Sequence, residues 1–370
     1  MDLDDLRSRI SDLDRRLFDA LAERADLARQ IGEIKRAAGK DVFDPAREQV
    51  ILDALSAEGA GLLPPEALHA IFAEVISACR AVQGPLRVAY LGPAYTFSHL
   101  AALHRFGSQV EYVDCGSVYE VFEAVEKEQV AVGAVPIENS LGGAVTETLD
   151  SFLTTKVTIQ GELYEPIHQC LLALDASVPI KRLYTKPEPL AQARRWVREH
   201  MPGVEVVSTS SSAAACQAAA IEPGSASLGP AEAAAPYGLE VVARNIEDYA
   251  SNRTRFVVIG SPSRSGDKGE GPARTGRDKT SLVFATAHRA GALHEALTPL
   301  RIYGVNMSMI HSRPVPSRLW EYVFFVDIEG HQNDENVMRA VEELRGLASS
   351  LTVLGSYPAA GWESPDPTHA

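Results

Sequence analysis

Val130-Ala131-Val132-Gly133-Ala134-Val135-Pro136-Ile137-Glu138-Asn139-Ser140-Leu141-Gly142-Gly143 decides the fold of the middle of this chain. Val130–Val135 is an apolar run of strand length. Small and polar residues follow it, and then a helical segment reaching about Leu153. The same order recurs on both sides. Arg87–Leu91 precedes Gly92-Pro93, Thr96-Phe97-Ser98 and a helix around Leu100–Phe106. Val204–Val207 precedes Ser208-Thr209-Ser210 and an alanine-rich helix, and Ala226–Leu228 precedes Gly229-Pro230 and a further helix. Each unit ends a strand at a helix N-terminus, where free N–H groups favour a carboxylate. Repetition of such units predicts a doubly wound α/β architecture with its ligand at the carboxyl ends of the strands. No dinucleotide or Walker fingerprint accompanies them.

Toward the C-terminus, Asn252-Arg253-Thr254-Arg255-Phe256 opens the apolar strand Phe256–Ile259. Alternation in an extended backbone turns Thr254 one way and Arg253 and Arg255 the other. A hydroxyl edged with positive charge suits an acidic substrate that must lose an oxygen; a plain polar strand entry is the competing reading. Ser261–Asp278 is poor in apolar groups and rich in Gly, Ser and charge, the composition of a flexible linker. Beyond it come strand Ser281–Ala287, helix Gly291–Leu300, strands Val305–Ile310 and Leu319–Ile328, helix Asn333–Ala348 and strand Leu351–Gly355. This βαββαβ order predicts a ferredoxin-like α+β unit.

Toward the N-terminus the period changes. Leu6, Ile10, Leu13, Leu17, Ala20, Arg24, Leu27, Ile31 and Ile34 step by three and four residues with no proline to interrupt them. The implied helix is about 50 Å long, more than two shorter helices can cover. An intertwined dimer is therefore expected. Asp44-Pro45 opens a second helix and Pro64-Pro65 a third, whose inner face carries Leu68, Ile71, Phe72, Val75, Ile76 and Cys79. Arg24 interrupts the apolar seam, and Lys35 follows it three turns on, about 16 Å away on the same face. Two long cations on one face can converge on a small dianion. Arg7 lies about 25 Å from Arg24 and points elsewhere, which suits the partner's pocket in an antiparallel dimer.

Across 370 residues, 45% hydrophobic and 23% charged composition is that of a globular protein. A formal charge of −14 with no basic block argues against nucleic acid. Acidic substrates must then be drawn in by local arginines and lysines. Cys79, Cys115, Cys170 and Cys216 lie far apart with no Cys-x-x-Cys pair, so reduced thiols and no zinc site are expected. The acidic start Met1-Asp2-Leu3-Asp4-Asp5 is unlike a secretory signal, and no apolar run is long enough for a membrane span. A cytoplasmic location follows as the expectation.

Three resemblances join these readings. Leu6-Arg7-x-x-Ile10, Asp12-x-Asp14, Leu21-Ala22-Glu23-Arg24, Ile31-Gly32-x-x-Lys35, Asp44-x-x-Arg47-Glu48 and Gln83 resemble an all-helical chorismate mutase. The resemblance implies that Arg24, Arg47 and the partner's Arg7 hold two carboxylates, with Asp44 in the same pocket. It implies that Glu48 bonds the ring hydroxyl and that Lys35 and Gln83 bond the ether oxygen. Such a rearrangement needs a compact conformer and donors aimed at the oxygen that gains charge. Tyr90-Leu91-Gly92-Pro93, Thr96-Phe97-Ser98, Val135–Ser140 with Gly143, Leu228-Gly229-Pro230, Tyr237-Gly238-Leu239 and Thr254-Arg255-Phe256 resemble prephenate dehydratase. By position Thr254 assists departure of the hydroxyl. Glu138, Asn139, Ser140, Thr185, Gln192, Arg255 and Phe256 shape the cleft. Gly291-Ala292-Leu293 and Ser312-Arg313-Pro314 resemble the phenylalanine-sensing motifs of ACT domains.

Departures are few. Tyr95 stands where the dehydratase loop has glycine, Lys186 where it has His, and Met309 and His311 where the effector motif has Lys and Glu. The resemblances imply a homodimer or higher oligomer that takes chorismate and prephenate without metal or organic cofactor. They also imply L-phenylalanine as effector, and no nucleic-acid or membrane partner. The expected parts are a mutase domain over 1–84, a two-lobed dehydratase domain over 86–261, a linker over 262–278, an ACT domain over 279–357 and a disordered tail from 358. Two other readings stay open on the residues alone: a decarboxylase that keeps the hydroxyl, and a non-catalytic amino-acid sensor.

Overall fold

The N-terminal apolar stripe forms one unbroken helix, α1 (Leu3–Ala37), in the computed structural model. The structure describes residues 2–39, 41–58, 61–262, 271–314 and 322–360. A reciprocal capping box starts α1: Asp2 accepts from the Asp5 amide at 2.8 Å, and Asp5 accepts from the Asp2 amide at 3.2 Å. Lys35 and Arg36 lie in its last turn, where cations favour the helix dipole. Two further helices follow, α2 (Pro45–Glu58) and α3 (Pro65–Ala81). On α3, Ile76 and Cys79 are buried as expected, while Ile71 is exposed in the single chain.

The α/β region runs β1 (Arg87–Leu91), α4 (Phe97–Phe106), β2 (Glu111–Cys115), α5 (Val118–Glu126), β3 (Val132–Asn139), β4 (Gly143–Ala144), α6 (Thr146–Phe152) and β5 (Thr158–Pro166). It continues through β6 (Cys170–Ala173), β7 (Arg182–Thr185), α7 (Pro187–Gln192), α8 (Arg194–His200), β8 (Glu205–Ser208), α9 (Ser212–Ile221), β9 (Ser225–Gly229), β10 (Glu240–Ala243) and β11 (Arg253–Gly260). These strands make two sheets. The first has the order β2-β1-β3-β11-β5 with β4 on β3, so β11 returns from the second lobe to an interior position. Residues 255–260 of β11 are all buried, as befits a strand covered on both faces. The second sheet has the order β10-β6-β9-β7-β8. In it β7 pairs parallel with β8 and β9, and β6 pairs antiparallel with β9 and β10. Ala213, Ala215, Cys216 and Ala219 of α9 are buried, small side chains that let the helix approach its sheet closely.

One expected helix is not formed. After Gly229-Pro230 the chain makes two short 3-10 turns, Ala231–Ala233 and Ala235–Tyr237. Pro236 cannot donate to a helical ladder, and Gly238 at φ 66° turns the chain away.

The C-terminal part is β12 (Asp278–Ala285), α10 (Ala292–Ile302), β13 (Met307–Pro314), β14 (Tyr322–Glu329), α11 (Glu335–Leu347) and β15 (Ser350–Pro358). Its antiparallel sheet has the order β13-β14-β12-β15. Leu282, Phe284, Val326 and Ile328 meet Ala296, Leu300, Val337 and Leu344 from the two helices in one core. The linker ends earlier than its composition suggests. The Asp278 carboxylate accepts from the amides of Thr275 and Gly276, both at 2.9 Å, closing a turn ahead of β12. The expected linker stretch 263–270, the strand start 319–321 and the tail 361–370 lie outside the described residues.

The chain divides into two compact units. One takes Met1–Val88, Leu103–Tyr112 and Gly260–Pro358; the other takes Ala89–Ala102, Val113–Ile259 and the chain from Ala359. Among the described residues, no helix is long and apolar enough to cross a membrane.

Candidate functional site

Gly32 brings the ends of α1 and α3 together. A Cβ at that position would lie 2.8 Å from the Cα of Gln83, so only glycine permits the approach. Lys35, one turn on, donates to the Val42 carbonyl at 3.0 Å. Arg24 donates to the Val75 carbonyl of α3 at 3.4 Å. Gln83 donates to the Cys79 carbonyl at 3.5 Å, while its Oε1 is buried with no hydrogen-bond partner. A buried polar atom of this kind is satisfied by a ligand or a bridging water.

The other expected mutase residues are placed differently. Asp44 caps α2 through the Arg47 amide at 3.0 Å, and the Arg47 side chain is exposed. Arg7 is on the surface with Asp4 at 3.4 Å, remote from Arg24 along α1. Glu48 is already occupied: Oε1 accepts from Arg80 at 2.5 Å and Oε2 from Arg105 at 2.8 Å, with Glu48 and Arg80 buried. Arg80 also donates to the Phe106 carbonyl at 2.5 Å. Both guanidinium groups lie over the rings of Phe43 and Phe106, 5.4–5.8 Å from the centroids. Removing one partner of a buried pair costs about 3–5 kcal/mol, because a charge is stranded. In this single chain Glu48 therefore serves packing. Sequence reasoning missed Arg80; the available signal was a cation next to Cys79 on the inner face of α3.

Thr254 enters β11 beside the end of β3. Asn139 Nδ2 lies 3.0 Å from Thr254 Oγ1, 2.9 Å from Asn252 Oδ1 and 3.1 Å from the Arg253 carbonyl. Asn139 Oδ1 accepts from the amides of Leu141 at 3.0 Å and Gly142 at 2.8 Å, which fixes the orientation of the amide. Ser140 accepts from the Arg253 amide at 3.0 Å. Where Asn139 donates to the Thr254 oxygen, the threonine's own O–H is not spent on that contact. Asn252 is fully buried and its Nδ2 has no hydrogen-bond partner.

Other dehydratase residues have mixed placements. Arg255 turns from Thr254 into a buried pair with Glu162, Nε to Oε2 2.7 Å, so its charge is neutralised locally. Phe256 is 1% exposed and lies two residues beyond Thr254 on the same strand face. Glu138 pairs with Ala144 in the β3–β4 ladder. In the second lobe, Thr185 ends β7 and donates to the Lys186 carbonyl at 3.0 Å. Lys186 reaches Glu188 at 3.6 Å. Gln192 accepts from Gln169 at 2.9 Å, and the buried Oε1 of Gln169 has no partner. Sequence reasoning missed both Glu162, a polar side chain inside β5, and Gln169, which immediately precedes β6.

Tyr95 has φ 63°, the left-handed region in which glycine is strain-free. Its amide donates to His99 Nδ1 at 3.1 Å. Its ring meets His99 edge-on at 5.5 Å and Tyr237 of the second lobe at 6.1 Å between centroids. Burial lowers the His99 pKa, which keeps Nδ1 an acceptor. Burial, with Asp114 nearby, pushes the Tyr90 phenol up to about 12.

In the C-terminal unit a cavity of about 250 Å³ is lined by Thr286–Arg289, Gly291–His294, Tyr322 and Phe324. Three of the six expected effector residues, Gly291, Ala292 and Leu293, are thus in its wall. Gly291 has φ 81° and begins α10. Ser312, Arg313 and Pro314 lie on β13 in register with Phe324, Val323 and Tyr322.

Comparison with known proteins agrees with this layout. The family model for chorismate mutase type II matches residues 6–84, that for prephenate dehydratase 88–264, and that for the ACT domain 280–346. The bifunctional chorismate mutase/prephenate dehydratase of Aquifex aeolicus is 39% identical, covering 97% of this chain and 98% of that protein. The protein of the same name from Stutzerimonas stutzeri is 41% identical, covering 96% and 97%. Among solved structures, prephenate dehydratase from Arthrobacter aurescens in complex with L-Phe is 34% identical. It superposes with a TM-score of 0.67 over 74% of this chain and 90% of that one. With relatives of one kind matching nearly its whole length and three family models in the same order, the chain belongs to the bifunctional chorismate mutase/prephenate dehydratase family.

Proposed function

We propose that the two reactions run in separate pockets, one around Lys35, Arg24 and Gln83, the other around Thr254 and Asn139. In the first, the ether C–O bond of chorismate breaks as a C–C bond forms, and charge builds on the ether oxygen. The Lys35 ammonium stabilises that charge, and Gln83 donates beside it after its amide turns. Arg24 and Arg47 grip the carboxylates together with Arg7 of a second copy, in a homodimer. In the second pocket, the ring C–CO₂⁻ bond of prephenate breaks and its electron pair aromatises the ring. The hydroxyl departs as water, so one proton is required. Thr254 relays it: its oxygen lies 3.0 Å from Asn139 Nδ2, a contact that does not use the threonine's own O–H. That arrangement is the observation that carries the dehydratase reading.

The effector reading rests on the cavity at Gly291–Leu293. L-phenylalanine fits there by class: an apolar ring against Tyr322 and Phe324, with its charged end toward the α10 N-terminus. Reduced cysteines, all four buried and unpaired with one another, suit a cytoplasmic location.

Lys35→Ala should lower rearrangement of chorismate by about 10²-fold or more while sparing turnover of supplied prephenate. Thr254→Ala should do the reverse, with a loss of about 10²–10⁴-fold in phenylpyruvate formation. Chorismate and phenylpyruvate absorbance report the two steps separately. Loss of both activities from either substitution in a folded protein overturns the assignment of separate pockets. Titration calorimetry showing no uptake of L-phenylalanine removes the effector reading.

A further inference from the structure

Glu162 and Arg255 form a buried ion pair that neither reaction uses directly. Glu162 is on β5 and Arg255 on β11, neighbouring strands of the first sheet. The two side chains are 0% and 4% exposed, and the contact is 2.7 Å. A pair so enclosed is rigid, since neither charge can move without being stranded. The remaining Glu162 oxygen, Oε1, accepts from the backbone amide of Ala360 at 3.0 Å. Ala360 comes two residues after Pro358, where the chain leaves β15, the last strand of the ACT sheet. Arg255 adjoins Thr254 in sequence, so the strand entry is clamped on both faces. Asn139 and Ser140 hold one face. Glu162 holds the other.

We propose that Glu162 is a positioning residue of the dehydratase site, and that the Ala360 amide sets its carboxylate. This rests on the reading of Thr254 as the proton relay. The Ala360 N–H fixes the Glu162 rotamer, Glu162 fixes the Arg255 guanidinium, and Arg255 fixes the backbone that aims the Thr254 hydroxyl. The setting of the catalytic strand thus depends on the chain leaving β15. That chain follows directly on β15 in sequence.

Ala360→Pro tests this directly, because it deletes that N–H and no side-chain group. In the full-length protein, kcat for prephenate dehydration should fall about tenfold with KM within about twofold, the pattern of a misaimed group rather than lost binding. Chorismate rearrangement by the same sample serves as the folding control and should be unchanged. Ala360→Gly keeps the N–H and should retain wild-type kcat. Glu162→Gln should also lower kcat, and adding Ala360→Pro to it should cost nothing further, since both changes break one chain of contacts. The inference is overturned if Ala360→Pro leaves kcat intact, if the loss appears in KM alone, or if the two losses multiply. Thr254→Ala, run alongside, separates this failure from failure of the underlying reading. If Thr254→Ala keeps wild-type dehydration, the relay itself is wrong. If it is inactive while Ala360→Pro is unaffected, only the positioning is wrong.

Discussion

At the scale of single residues, Tyr95 is the departure with the clearest physical consequence. A left-handed backbone angle on a non-glycine residue costs about 1–3 kcal/mol. Each edge-to-face ring contact returns about 0.5–1.5 kcal/mol, and Tyr95 makes two. The contacts offset the strain, so a tyrosine is tolerated where the dehydratase loop has glycine. The contact set depends on His99 being neutral, because its Nδ1 accepts from the Tyr95 amide. The folded-state pKa of His99 is below the ordinary 6.5, so between those two values the unfolded chain binds more protons. Stability from this site is therefore complete above pH 6.5 and is lost as pH falls through the depressed value. His99→Asn keeps an acceptor and cannot titrate. Thermal melts between pH 7.5 and 5 should show a smaller fall in Tm for this variant than for the wild type; parallel falls would mean that His99 does not couple to pH.

At the scale of elements, the crossing of α1 and α3 shows how a motif becomes geometry. Ile31-Gly32-x-x-Lys35 reads in sequence as a short pattern around a cation. In the fold Gly32 is the point where Gln83 comes within contact of α1. Gly32→Ala would press a methyl group against backbone, and overpacking of this kind costs about 1–3 kcal/mol. The end of α3 must shift, carrying Gln83 away from Lys35. Rearrangement should fall about tenfold or more, with dehydration of supplied prephenate nearly unchanged. Equal loss of both would point to general unfolding, readable by circular dichroism. The Glu48–Arg80–Arg105 cluster belongs to this scale too. It fastens α2 and α3 to the end of α4, within one compact unit. Nothing local in the sequence marks it, since the partners are separated by 32 and 57 residues.

At the scale of the whole molecule, α1 is the unfinished surface. Ile10, Leu13, Leu17 and Phe18 are 56–68% exposed, and Leu27, Ile31 and Ile34 extend the stripe. Continuous apolar exposure on this scale marks an interface. Each leucine buried there contributes about 1.5–3 kcal/mol, and a two-fold contact counts each twice. A second α1 lying antiparallel would cover the stripe and deliver its Arg7 to the distant pocket. Leu17→Glu should therefore halve the mass seen by light scattering and remove rearrangement with it. A wild-type protein already monomeric at micromolar concentration would sink the idea.

Element types were legible because they follow local pattern: steps of three and four in α1, short apolar runs in the strands, with small polar residues marking each strand end. The ferredoxin-like order of the C-terminal unit was legible on the same ground, and so were Thr254, Asn139 and Lys35 as residues of interest. The miss after Gly229-Pro230 was local as well, since Pro236 and Gly238 were both visible in the sequence. Partnership was another matter. That Glu48 meets Arg80 and Arg105, that Arg255 meets Glu162, and that Tyr95 meets Tyr237 depends on side chains far away along the chain. A sequence determines local conformation through near neighbours. Which charges are buried together, and so which remain for chemistry, is decided only when distant segments exclude water from the same place.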